Sequence, residues 1–466
     1  MRKVTSLILV IVMIVSTFSL MSCGEKGEDL STIIEDKMLA YETDLNDSLG
    51  TLNDSIAVSD YLYNWGKSKG VKVKYDEYHN VIMSVKASEG YENVSPTVVQ
   101  CSFDPNRLEN NVTAIASALF IAKNSKTNGP LKVIFTCEPD RDFAGVSKLS
   151  DSYFAKDTKV ICLGQSTKKL VSNNSSAMAT YTLSHDADYV KPKNDVAYKI
   201  KIEGLNGGIP DTKITSYPNP IKALGDLLAY FKTNSLIYEL SKFNGGSSAT
   251  TYAKDASMTV VINENDIDKF ISRMDNVIET FEDSNREDHE NFTYTYEKVD
   301  TPKKVLASND NDNFVSLLYT ILDGVYYKDD NGDIVSIASV GSIKFAKGKY
   351  TIGVSANSLT DSNLTEISQS LETICSLCDA KYKQESTINK WNSPEDSTFI
   401  TSISSAYRMY SGDTMELVDS VPATACSVIQ EKLPNSQIIY MGLSEKNKFD
   451  CTGTIIKYLE YLNKDN

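Results

Sequence analysis

Apolar and polar positions alternate along this chain in blocks whose period changes with position. From about residue 55, "SIAVSDYLYNWGKSKG" has helical spacing, "VKVKYDE" and "NVIMSVK" read as strands, and "PTVVQCSF" reads as a buried strand. "NNVTAIASALFIAKNSK" predicts a helix with Asn110 or Asn111 as N-cap and Val112, Ile115, Leu119 and Ala122 along one face. "LKVIFTCEP" and "TKVICLG" are further short, β-branched runs separated by helix-length segments. This alternation predicts βαβ units and a largely parallel sheet covered on both faces. Ligands of such sheets sit beyond the carboxyl ends of the strands, where Cys101 to Asp104, Cys137 to Asp140, and Gly164 fall.

The middle of the chain changes character. "AYKIKIEGLNGG", "PIKALGDLLAYFKTN", "SMTVVIN", "DIDKFISRMDNVIETF" and "FTYTYEKV" alternate strand and helix in an α+β unit. A second set follows, with "NFVSLLYTILDGV", "IVSIASV", "YTIGVSA" and the cysteine-bearing "LTEISQSLETICSLCDAKY". The first style returns near residue 385, with "SQIIYMGL" as a buried strand and "GTIIKYLEYLNK" as a closing amphipathic helix. The simplest account is one domain that opens, is interrupted and resumes. Its expected parts are 35–178 and 385–466, with the interruption at 179–384.

Composition narrows the class. A chain of 466 residues with 41% hydrophobic and 23% charged residues is globular and long enough for more than one core. Its 62 acidic and 47 basic residues give a formal net charge of -15, which repels polyanions and excludes nucleic acid as a partner. At the N-terminus, Arg2 and Lys3 precede an apolar run ending in "LMSCG", a secretory signal expected over residues 1–22. "L-M-S-C" resembles the lipobox of bacterial lipoproteins. The resemblance implies that Cys23 is lipidated, that 23–34 is a tether, and that the rest is extracytoplasmic on a bacterial membrane.

Of the cysteines after Cys23, Cys101, Cys137, Cys162, Cys375, Cys378, Cys426 and Cys451, an odd number cannot all pair within one molecule. "CSLC" has redox or zinc spacing but sits in a helical pattern, so a buried face is expected. His79, His185 and His289 are the only histidines, and each is expected on the surface.

The order of these elements, and several phrases, resemble the aminoacyl-histidine (Xaa-His, or cytosol non-specific) dipeptidases over nearly all of residues 35–466. "DEYHNVIMSVKAS" looks like the family's "D..GNVI" hairpin, "PTVVQCSFD" its strand ending in "QGHMD", and "LENNVTAIASAL" its "LGADNGIGVAAAL". "VIFTCEPDRDFAGV", "IEGLNGGIPDTKI", "INKWNSPEDSTFI" and "VPATACSVIQEKLPNSQIIYMG" match further family phrases in order. The resemblance implies an α/β, zinc-exopeptidase-like catalytic domain, mostly parallel sheet flanked by helices, interrupted by an α+β lid that also serves dimerisation. It further implies two zinc ions held by imidazole and carboxylate, with a carboxylate base for the bridging water.

Carried over position by position, that chemistry is depleted. The family's metal histidine falls on Ser102, the bridging aspartate on Asn110, the catalytic glutamate on Pro139 and a later metal aspartate on Gly164. The last zinc histidine falls on Phe449, the lid histidine on Ile209 and a lid arginine on Asn357. Asp104 and Asp140 are retained, with Glu138 nearby, and the loop between "SFD" and "ENN" is shorter than the family's. The expectation is therefore a chain without cofactor, metal or confident catalytic residue. Its cleft or lid would bind a peptide-like ligand or protein partner, with Asp104, Glu138 and Asp140 as candidates for a peptide's amino end. A homodimer through the lid is a further expectation. Two alternatives stay open: a metal-dependent dipeptidase with a rearranged site, drawing on thiolates such as Cys101, Cys137, Cys162 or Cys451, and a purely structural lipoprotein.

Overall fold

The structure is a computed structural model and describes residues 29–138, 143–166, 170–213, 217–393, 397–418 and 420–462. The expected signal, Cys23, Pro139 and Asp140 lie outside the described residues. In chain order the elements begin with helices α1 (Leu30–Ser48) and α2 (Ser55–Ser68), then β1 (Lys72–Tyr75), β2 (Val81–Val85), β3 (Thr97–Phe103) and α3 (Val112–Asn124). β4 (Leu131–Cys137), the one-turn α4 (Ala144–Ser147), β5 (Lys159–Gln165) and β6 (Leu170–Ser172) complete this part. The middle comprises β7 (Ala177–Asp186), β8 (Tyr189–Val190), β9 (Val196–Glu203), α5 (Pro220–Thr233), β10 (Tyr238–Gly245), β11 (Ala256–Ile262), α6 (Ile267–Asn285), β12 (Thr293–Val299) and β13 (Val305–Leu306). It continues with α7 (Ser308–Thr320), β14 (Gly324–Lys328), β15 (Ile334–Ala346), β16 (Lys349–Ser358), α8 (Asp361–Leu377) and β17 (Lys381–Ile388). The chain closes with α9 (Thr398–Ser411), α10 (Ala425–Lys432), β18 (Gln437–Leu443) and α11 (Lys448–Lys457).

The buried runs of the first and last parts assemble one seven-stranded sheet in the order β1-β2-β4-β3-β5-β18-β6. β4, β3, β5 and β18 run parallel, and antiparallel strands close both edges. Alternation explains the two layers of core. Val99, Cys101 and Phe103 of β3 pack with α1, α2, α3, α9 and α11 on one face. Val98, Val160, Cys162 and Ile438 pack with α4 and α10 on the other. Burying each such aliphatic side chain contributes about 1.5–3 kcal/mol. The result is an α/β fold with its parallel strand ends gathered along one edge.

The middle part forms a nine-stranded antiparallel sheet in the order β12-β9-β11-β10-β15-β16-β7-β17, with β14 pairing β15. It is built of two βαββαβ units. The inner unit, β9-α5-β10-β11-α6-β12, is continuous in sequence and has strand order β12-β9-β11-β10. The outer unit, β7-α7-β15-β16-α8-β17, is interrupted by the inner one and repeats the same order in reverse. The two meet where β10 pairs β15 at Asn244↔Lys344 and Gly245↔Ile343. All four helices lie on one face, over Tyr181, Leu183, Val260, Val340, Ile352 and Val354. On the opposite face Met178 and Ile388 join Phe143, Val146 and Trp391 in the first domain's core, so this face of the outer unit turns toward that domain. Among the described residues no helix is long and apolar enough to cross a membrane.

Two histidine expectations fail. His185 and His289 are each only 7% exposed. His185 sits on β7 with Nδ1 2.5 Å from the Asp379 carbonyl and Nε2 3.1 Å from the Asp310 carboxylate. Partners distant in sequence supply this burial, so local pattern could not show it.

Candidate functional site

β3 delivers Ser102 and Asp104 to the carboxyl edge of the parallel strands. Beneath them the buried Gln100 ties β3 to β4, its Nε2 donating to Ser102 Oγ and Thr136 Oγ1, each at 2.9 Å. Asp104 ends the strand and begins the turn Pro105–Asn110, with Oδ1 accepting the Asn106 N–H at 2.9 Å. Its Oδ2 accepts from Arg107 Nε at 2.9 Å and Nη2 at 2.5 Å. Arg107 leaves helical backbone geometry (φ -146°, ψ 45°) inside this turn. The side chains of the pair are 19% and 10% exposed, so water screens the contact only in part. Asn110, at the end of the same turn, is exposed.

β4 delivers Glu138, which is 2% exposed. Its carboxylate accepts the Gly145 N–H at 3.1 Å and the Val146 N–H at 2.8 Å, at the start of α4. A negative charge there satisfies orphan helix donors. Gly145 is required, because any Cβ would strike the Cys137 backbone.

The remaining positions are occupied or emptied by packing. A Cβ at Gly164 would overlap the Tyr440 hydroxyl, so the space in which a carboxylate would grow from β5 is filled by a ring from β18. Phe449 on α11 packs against the first domain's core, with the Lys448 ammonium 5.3 Å above its ring. Ile209 is half-buried in the loop after β9, which is held by the Tyr252 N–H bonding to the Gly208 carbonyl at 2.9 Å. Asn357 lies near the end of β16 and is 2% exposed.

The structure thus brings Ser102, Asp104 and Glu138 to one edge, with Arg107 and Tyr440 as residues the sequence reading did not single out. Arg107 had one visible signal, as the only basic residue between the strand end and α3. Tyr440 had none, because its neighbourhood to Gly164 depends on the β5–β18 register. A metal pair requires several anionic or imidazole donors with free lone pairs. Here a hydroxyl, an amide, a bare glycine and a phenyl ring stand at four assigned positions, one carboxylate is bound by a guanidinium and another caps a helix. Among the described residues no group of three or more His, Cys, Asp or Glu is placed to hold a metal ion. The described residues therefore do not fit such a pair. Cys101, Cys137, Cys162, Cys375, Cys378, Cys426 and Cys451 are all buried. Burial pushes the Cys101 and Cys162 thiols well above their ordinary range, which disfavours the thiolate that a nucleophile needs.

No family model matches the chain. Its fold is nevertheless that of the aminoacyl-histidine dipeptidases: the structure of aminoacylhistidine dipeptidase from Vibrio alginolyticus superimposes with a TM-score of 0.59 at 20% identity, covering 87% of this chain and 92% of that one. By sequence, the chain is related to the cytosol non-specific dipeptidase of Escherichia coli (strain K12), with 21% identity over 421 residues, 83% of this chain and 86% of that protein. Looser similarity extends to a Bacillus subtilis protein described as a dinuclear metal binding peptidase from the M20 family, with a TM-score of 0.39 and 11% identity over 91% of this chain and 98% of that one. The expectation of no cofactor is corrected on this ground: the chain is similar to dipeptidases of the kind whose resemblance implies two zinc ions, so absence of a cofactor is not a property to assign to the chain.

Proposed function

We propose that the chain is an extracytoplasmic lipoprotein, anchored through lipidated Cys23, whose peptidase scaffold binds a peptide-like ligand without hydrolysing it. The observation that supports this most is the Asp104–Arg107 ion pair at the strand edge. Hydrolysis needs a free base within reach of water. Asp104 is neutralised by a guanidinium, Glu138 is spent on backbone N–H groups, and proline stands at 139, where the resemblance expects the base. Binding asks only for a cleft and a few placed polar groups. Nη1 of Arg107 makes no hydrogen bond to a described residue, so the guanidinium retains a donor for a ligand carbonyl. Asp104 and Glu138, expected to hold a peptide's amino end, are already engaged, and Asp140 is the remaining acidic candidate. A homodimer through the lid would use the outer edge strands β12 or β17, because β10 and β15 are paired within the chain. The net charge of -15 argues against nucleic acid.

The sequence relation to a dipeptidase supports a second reading, an active metal-dependent dipeptidase with donors drawn in part from Asp140. One experiment separates the two. The full chain, in detergent, is incubated with a dipeptide panel with and without added zinc, and binding of the same dipeptides is measured by calorimetry. Binding without turnover in either condition supports the proposal; zinc-dependent turnover replaces it with the enzyme.

A further inference from the structure

The two units of the lid share one strand order, and setting them side by side reveals a place where the outer unit is hollow. Thr293, the first residue of β12, pairs Glu203 on β9, and Lys381, the first residue of β17, pairs Ser184 on β7. Counting back along β9 and β7 from these pairs sets Tyr198 against Ala179 and Ile200 against Tyr181. Tyr296, the partner of Ile200, then corresponds to Gln384, the partner of Tyr181. On the helices, Phe270 is the fourth residue of α6 and Leu364 the fourth of α8.

In the inner unit these positions hold a cluster of rings. Tyr198 stacks on Phe270 at 4.4 Å, and Tyr296 stands 5.7 Å from Phe270 and 6.1 Å from Tyr198. The outer unit has alanine, leucine and glutamine instead, and all three line a cavity of about 260 Å³. Cores seldom keep voids larger than a water molecule, because the walls lose contacts across them. Ala177 extends the apolar floor beside Ala179 and Leu364, and the exposed Gln384, Thr387 and Asn389 form a neutral polar mouth. Among the described residues Asp361 is the only charged one in the lining. Ala177 opens β7 and Asn389 follows β17, the strands by which the chain enters and leaves the outer unit, so an occupant would touch both connections.

We infer that this cavity binds a small uncharged aromatic molecule of the size of a phenol, whose ring takes the place of the missing aromatic layer. An apolar cavity of about 150 Å³ suffices for one benzene ring, and the amide and hydroxyl groups at the mouth suit a single polar substituent. An acid without a base in the lining disfavours an aromatic carboxylate. The site lies on the helix-covered face of the lid, apart from the strand edge that carries Asp104 and Arg107, and does not rest on the peptide-binding reading. The test titrates the full chain, labelled at its alanine methyl groups, with phenol and with benzoate, which has the same ring but carries a carboxylate. Phenol is expected to shift the Ala177 and Ala179 methyl resonances, to raise Tm, and to bind at least about fivefold tighter than benzoate. Ala179→Tyr and Leu364→Phe, which set the inner unit's residues into the space from the strand and from the helix, should each weaken phenol at least about tenfold. Ala177 and Ala179 resonances that stay in place as phenol is added overturn the site. So does phenol affinity retained in a folded variant, and tighter binding of benzoate overturns the chemistry assigned to it. The methyl shifts are read on the parent chain, so they decide the matter even where a variant fails to fold.

Discussion

At the scale of single residues, the strand edge is organised by charge cancellation. Arg107→Ala would leave the Asp104 carboxylate with only its turn hydrogen bond and a partly buried, uncompensated charge. Removing one partner of such a pair should cost about 1–3 kcal/mol after allowance for its partial exposure, read as a lower urea midpoint. Gly164→Asp, which would restore an acid at that position, should instead destabilise by about 1–3 kcal/mol through overlap with Tyr440, and Tyr440→Ala in the same chain should relieve much of that clash. If the single substitution is neutral, the packing account of Gly164 is wrong. The thiols give a third expectation. All seven are buried, and Cys375 is pushed up to about 12 by burial and by Cys378. Native protein should react with a thiol reagent only at its unfolding rate, and fast labelling of any of these seven would contradict the buried assignment.

At the scale of elements, the loop carrying Ile209 is tied to the turn after α6 by one histidine. His289 Nδ1 accepts the Asn206 N–H at 3.2 Å, and its ring stands edge-on to Tyr217 at 5.7 Å. Burial lowers the His289 pKa, partly offset by Asp288. Because the folded pKa lies below the unfolded one, near 6.5, the unfolded chain binds more protons as pH drops. The contribution to stability is present above that value and is lost as pH falls through the folded pKa. A His289→Gln chain should therefore show a shallower loss of Tm between neutral pH and mildly acidic pH than the parent, by up to about 1.4 kcal/mol per pH unit for one proton. Identical slopes would remove His289 from the account.

The same scale shows what the sequence displays. β3, β4, β5 and β18 were legible because strands buried on both faces read as unbroken apolar runs. Helix α3 was legible from its N-terminal asparagines and dense apolar content. The two halves of the middle part were visible as successive blocks, but their nesting was not. β7 finds its partner β16 beyond the whole inner unit, and no local period encodes that pairing. At the site, the lost ligands could be read by position, whereas the Arg107 and Tyr440 contacts arise from backbone path and register.

At the scale of the whole molecule, first and last helices close the peptidase-like domain together. Lys448 on α11 bonds Glu42 on α1 at 2.7 Å and Glu445 at 2.8 Å, with the Lys448 side chain 4% exposed. Glu42→Ala strands a largely buried ammonium and should cost about 3–5 kcal/mol, among the largest effects of any polar substitution here. A loss below about 1 kcal/mol, measured by denaturant unfolding, would mean that Glu445 alone suffices.

The inner lid unit begins and ends in one place. Val299 at its close pairs Ala197 at its opening, and just outside, Val190↔Val305 and Tyr189↔Leu306 form the two-stranded β8–β13 ladder. The chain thus enters and leaves the inner unit through one stem, so the unit can be cut away without interrupting the path of the outer one, although it also packs beside it through β10 and α5. Splicing Val190 to Val305 through a tight Asn-Gly turn should leave a shorter chain that still closes β7 against β16. Its cost falls on α7, whose Leu317 and Leu318 lose their packing against α5, and on β15, which loses β10 at Ile343 and Lys344 and presents a bare strand margin through which the trimmed molecules are expected to stick to one another.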